Sequence, residues 1–155
     1  MRRLLAVALT TIAAGGAGMA AQDRPNFSGR WVLDKPVADA GVAVEFVVRQ
    51  DAQTFTVGHD DNRHAISYRL HGSDHPITSH VGSVHDVKSI GKATWEGDKL
   101  VVERTDNYQS GLTRTLKQVW SLDASGLLTV ESSNVTSAGE STNTRNVYAR
   151  KSMLP

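Results

Sequence analysis

The chain contains no cysteine. That excludes disulfide cross-links, a thiol nucleophile and a lipid anchor on a cysteine at a signal cleavage site. Charge of either sign is also missing as an excess. Lys and Arg number 17 against 16 Asp and Glu, with no block of like charge. A basic stripe for nucleic acid and a charged tail are therefore both absent. Several catalytic signatures are missing as well. There is no Gly-x-Ser-x-Gly elbow, no Gly-rich loop opening onto a helix and no His-Glu-x-x-His. The usual serine-hydrolase, phosphate-cradling and zinc-protease chemistries lose their local supports. No apolar run reaches the roughly 20 residues that a membrane-spanning helix needs. Past the N-terminus, no segment shows an apolar period of about 3.6 residues, so almost no helix is expected.

What is present begins with Met1, Arg2 and Arg3, an almost unbroken apolar run from Leu4 to Ala14, and a small-residue stretch from Gly15 to Ala21 interrupted only by Met19. This is the order of a cleavable signal peptide, with Gly18 and Ala20 at the small positions for cleavage after Ala20 or one residue later. The division expected is a signal peptide over 1–21 and one domain over 22–155. Losing Arg2 and Arg3 would leave 15 basic residues against 16 acidic ones. The expected location is the periplasm or the medium of a bacterium, with no stable membrane anchor. About 134 residues suffice for a hydrophobic core without covalent staples.

The remaining chain alternates apolar and polar residues in short runs. Ser28 to Asp34, Val42 to Gln50, Thr54 to His59, His64 to Leu70, Val84 to Trp95, Lys99 to Tyr108, Thr113 to Leu122, Leu127 to Val135 and Thr142 to Lys151 read as strands. Val42, Val44, Phe46 and Val48 are expected on one face of the second run. The turn clusters Glu96-Gly97-Asp98, Asp123-Ala124-Ser125-Gly126 and Ser137-Ala138-Gly139 separate later runs. Period-two alternation broken by such clusters every ~8–14 residues predicts an all-β sandwich or barrel. His71 to Ser83 is expected as a long loop or weak edge strand, and one helical turn is possible over Pro36 to Gly41.

Phe27-Ser28-Gly29-Arg30-Trp31-Val32-Leu33-Asp34 resembles the first strand of the calycins, the lipocalin and fatty-acid-binding-protein group, through its Gly-x-Trp. Trp95-Glu96-Gly97-Asp98-Lys99-Leu100-Val101-Val102 resembles the central hairpin of small secreted bacterial lipocalin-like proteins. The two matches cover about 16 residues. The resemblance implies one antiparallel up-and-down β-barrel of about eight to ten strands. It also implies that Trp31, behind Gly29, closes one end, with a last-strand arginine laid across the ring. Arg145 and Arg150 are the candidates, and Arg145 is preferred. Two departures stand out: Lys35 to Gly41 is too short for the paired helices of fatty-acid binders, and no C-terminal helix follows the last strand.

Polar residues in the apolar register mark the candidate site. Arg104 and Asp106 share a face with Leu100 and Val102, Gln118 with Leu116 and Trp120, and His64 with Ile66, Tyr68 and Leu70. If these faces point inward, Arg104, Gln118, Tyr68 and His64 converge on the barrel interior. An arginine there needs Asp106, Glu131 or a ligand anion beside it, or water entering from an open rim. The leading expectation is a non-catalytic barrel holding a small apolar or amphiphilic molecule, without cofactor or nucleic-acid partner. The alternatives are an isomerase, hydratase or hydrolase using the same cavity, and a structural or partner-binding barrel filled by side chains. His71, His75, His80 and His85 fit no compact metal-binding spacing and are read as a histidine-rich loop.

Overall fold

The computed structural model describes residues 24–35, 43–59, 65–77 and 87–151. The expected signal segment, the Pro36 to Gly41 turn and His64 lie outside these residues. Ten strands form in chain order: β1 (Gly29–Leu33), β2 (Glu45–Gln50), β3 (Thr54–Gly58), β4 (Ile66–Arg69), β5 (His75–Pro76), β6 (Val87–Glu96), β7 (Lys99–Tyr108), β8 (Thr113–Leu122), β9 (Leu128–Thr136) and β10 (Ser141–Arg150). There is no helix among the described residues. All pairings are antiparallel, and the spatial order is β4-β3-β2-β1-β10-β9-β8-β7-β6-β5. The single sheet curls into a nearly closed barrel. Its first and last long strands lie side by side, with Trp31 opposite Arg150.

The strands form where alternation and turn chemistry agree. β6 and β7 pair from Val87↔Tyr108 to Glu96↔Lys99 around Gly97, whose φ of 63° suits a residue without a side chain. The expected runs over β7 and β8 coincide with the strands. The second run does not. β2 starts at Glu45, and Val44 is 66% exposed rather than on the buried face with Phe46 and Val48. The ladder with β1 ends at Val32↔Glu45, and beyond it Val44 keeps only the backbone bond from Leu33 N to its carbonyl at 2.9 Å. Val84 to Trp95 resolves, over its described part, into one strand, and the weak region after His71 contributes only the two-residue β5.

The seam lies between β4 and β5, the two ends of the strand order. A side chain bridges it where no ladder does: the Arg69 amide donates to His75 Nε2 at 3.2 Å, with Ser73 O 3.3 Å from the other ring nitrogen. Tyr68 also approaches β6 closely. A Cβ added at the buried Gly91 would lie 2.6 Å from Glu103 O, 2.6 Å from Ile77 Cδ1 and 3.3 Å from Tyr68 Cε1. Only glycine leaves room for β4 to close on β6 at that height.

The core fills one end of the barrel. Phe27, Trp31, Phe55, Leu100 and Leu128 are fully buried there, with Phe46, Val48, Trp120 and Tyr148 packed against them. Phe27 precedes the first strand and turns inward. Its ring stacks on Trp95 at 5.9 Å and meets Phe55 and Trp120 edge-on at 6.2 and 6.4 Å. Offset and edge-to-face packing of this kind adds about 0.5–1.5 kcal/mol per pair beyond area burial.

Candidate ligand-binding site

The closed end shows why Gly-x-Trp sits at the start of β1. Trp31 Nε1 donates to Phe27 O at 2.8 Å, so the indole both fills the end and fixes the incoming segment. The Arg150 guanidinium lies over the ring, 4.5 Å from its centroid, and donates to Ser28 O and, at 3.4 Å, to Asn26 O. Gly29 has φ 144°, and a Cβ there would stand 2.8 Å from Arg150 Nη1. Arg145 is not the residue over Trp31. It lies on the outward face of β10 and pairs with Glu131 at 3.3 Å, both exposed. Strand parity decides this: Tyr148 points inward, and Arg150, two residues on, shares its face, whereas Arg145 does not.

Above the aromatic end, side chains no longer fill the barrel. A cavity of about 470 Å³ opens there. Phe46, Leu116, Trp120, Val130 and Tyr148 form its apolar wall, and Arg104, Gln118, Ser132, Asn134 and Asn146 its polar wall. Tyr68 and Ile66 of β4 and the exposed His59 after β3 complete the lining near the seam side. The pleat explains the division. On β8 the inward series runs from Trp120 through Gln118 and Leu116 to Arg114, and on β9 from Val130 through Ser132 to Asn134. Each strand thus turns polar towards the open end. Gln118 Nε2 donates to Ser132 Oγ at 3.1 Å, which leaves its amide oxygen available on the polar wall.

Three charged side chains meet beside the polar wall, and of them Arg104 lines the cavity. Arg104 on β7 is 12% exposed in its side chain, and its Nε lies 3.0 Å from Asp106 Oδ1. The direction of that N–H is wrong for a hydrogen bond, so Arg104 Nε is buried without an acceptor. Asp106 is only 2% exposed. Its Oδ2 accepts from Arg114 Nη2 at 2.6 Å and Nε at 3.1 Å, and its Oδ1 from Ser89 Oγ at 2.6 Å. Burial raises the Asp106 carboxyl pKa. The hydrogen bonds from Ser89 and Arg114 and the charges of Arg104 and Arg114 more than offset this, holding it below the ordinary aspartate range. Burial pushes the Tyr68 phenol upward, against the opposing effect of the nearby Arg104 guanidinium. Trp120 Nε1 is the other buried donor without an acceptor. Its ring sits against Phe55 at 5.1 Å and Phe46 at 5.7 Å, both nearly perpendicular.

The structure therefore brings Arg104, Gln118 and Tyr68 to one cavity, while His64 lies outside the described residues. Asp106 stands beside Arg104 and Glu131 does not; Glu131 is on the outer face with Arg145. Sequence reasoning missed Ser132, Asn134, Asn146 and the charge partner Arg114. The signal was available for Arg114, which has the parity of Leu116 and Gln118. Among the described residues no group of His, Asp or Glu is placed to hold a metal ion, and His71 and His75 stand with ring centroids 6.2 Å apart. No protein-family model matches the chain, and no curated protein is significantly similar to it in sequence.

Proposed function

We propose that this chain is an exported lipocalin-like barrel that binds a small amphiphile, with the apolar body against Phe46, Trp120 and Tyr148 and an acidic head at Arg104. The observation that carries this reading is a mostly buried guanidinium lining a cavity of about 470 Å³ whose opposite wall is apolar. Pockets of about 300–1,000 Å³ with a few convergent polar groups suit small organic ligands. The Gly29-x-Trp31 strand under an arginine supports a calycin kinship, and the tripartite N-terminus supports export to the periplasm or medium.

The test is titration of the mature protein with dodecanoate, followed by calorimetry and intrinsic tryptophan fluorescence. Arg104→Met should weaken binding by about tenfold or more, as expected for a lost charge-assisted hydrogen bond. Equal affinity in wild type and variant refutes the assignment of Arg104. Native mass spectrometry of protein from its own host would show a retained acidic amphiphile directly.

A further inference from the structure

Asp106 stands between two arginines, and its hydrogen bonds are not shared equally. Both hydrogen bonds from guanidinium come from Arg114, and the hydroxyl bond comes from Ser89. Arg104 approaches the same carboxylate to 3.0 Å but does not aim its Nε–H at it. The formal charge of the trio is one positive unit. Arg104 is the member that lines the cavity. Arg114 is 39% exposed in its side chain and is not part of the cavity lining.

From this geometry we infer that Arg114 is a positioning residue that sets the charge selectivity of the cavity. By placing a second guanidinium on Asp106 Oδ2, it leaves the trio with one net positive charge beside the cavity although Arg104 itself lies 3.0 Å from Oδ1. It leaves one cationic group turned to the ligand and so favours a monoanionic head over a neutral one. This rests on the binding reading above. Without Arg114, Asp106 and Arg104 remain as an ion pair that offers the cavity no net charge. Ser89 on β6 holds Oδ1 and limits how far the carboxylate can move. Residues on facing strands that share one carboxylate are coupled, so their substitutions should not add.

The experiment compares dodecanoate with dodecanol as probes. The two share a chain and differ in head charge. Wild type, Arg114→Gln, Asp106→Asn/Arg114→Gln and Arg104→Met proteins are titrated at low and at moderate salt. Arg114→Gln is expected to weaken dodecanoate by about tenfold, the scale of a charge-assisted hydrogen bond, and to leave dodecanol unchanged. Removing the carboxylate in the double variant should restore the preference for the acid, since Arg104 is again unmatched. A residue that merely supports the fold would give the opposite result, with further loss in the double variant. The nitrogen-15 resonance of Arg104 Nε gives a readout without ligand: it should move in Arg114→Gln and return in the double variant. The inference is overturned if Arg114→Gln changes both probes equally or neither, or if the double variant fails to recover. If Arg104→Met itself leaves dodecanoate binding unchanged, the binding reading has failed and the inference falls with it.

Discussion

Gly29→Ala offers a sharp test of how the closed end is built. Two separate effects act at this position. The first is backbone strain, because φ 144° is a conformation that side-chain-bearing residues rarely adopt; such strain costs about 1–3 kcal/mol. The second is steric. The new Cβ would stand 2.8 Å from Arg150 Nη1, so the guanidinium must shift, and it is expected to move off the ring. Arg150 would then lose its place over Trp31 and its bonds to Ser28 O and Asn26 O. For an exposed cation the ring contact is worth about 0.5–1 kcal/mol and the carbonyl bonds a similar amount, so displacement costs about 1–2 kcal/mol. Gly29→Ala should therefore destabilise by about 2–5 kcal/mol in urea titration, with little change in the slope of the transition. Arg150→Met should cost about 1–2 kcal/mol alone. In the Arg150→Met background the steric part of the glycine substitution is relieved, and its cost should fall to the backbone strain alone. A double-mutant cycle therefore expects a coupling of at least about 1 kcal/mol. Strict additivity, or a loss below about 0.5 kcal/mol for Gly29→Ala, would refute the claim that glycine is required here because Arg150 occupies the space.

Other expected outcomes follow from the same contacts. Trp31→Ala should cost about 3–5 kcal/mol, since the ring is fully buried and anchors Phe27 O; a loss under about 1 kcal/mol in chemical denaturation would contradict its burial. Gly91→Ala should destabilise by about 1–3 kcal/mol through overpacking against Glu103 O and Ile77 and weaken protection of the Arg69 amide in hydrogen exchange; unchanged protection would show that the seam does not depend on this approach. Because the folded Asp106 has a depressed pKa, its contribution is complete above the unfolded value near about 4 and is lost as pH falls through the lower folded value. Acid titration of stability should show this limb, and Asp106→Asn should flatten it. The raised phenols of Tyr68 and Tyr148 act at the other end: stability should fall as pH rises above about 10, where unfolded tyrosines ionise first, and the loss should shrink in Tyr68→Phe.

Much of the architecture was legible because β7 and β8 carry regular alternation between glycine-containing turns, and two-residue periodicity then fixes both the strands and their inward faces. Arg104 and Gln118 were placed on one wall by that parity alone. Legibility failed where an apolar pattern outran the sheet, as at Val44, since exposure there depends on where β1 ends. It failed again for the arginine over Trp31. Arg145 and Arg150 lie on opposite faces of β10, and only the inward turn of Tyr148 separates them. Phe27 sits at the centre of the aromatic end although it precedes every strand, and no periodicity reports a residue placed by an incoming segment. Cavity volume was also beyond the sequence, because it depends on the side chains around the whole circumference.

The pairing of β1 with β10 has a consequence for how the chain acquires its structure. Trp31 and Arg150 lie opposite each other although nearly the whole domain separates them along the backbone. Everything else is hairpin-local: β1 to β4 form one meander and β5 to β10 another. Closing so long a loop carries an entropic penalty that local pairings do not, and non-local pairings of this kind slow folding. Until β10 is present, the two meanders have no strand to join them, and both leave open edges that can pair with another chain. A ribosome that still holds the last strand of the barrel, Ser141–Arg150, therefore holds the step that makes it a barrel. Premature termination just before Ser141 should yield two sticky half-sheets, not a slightly smaller version of the protein.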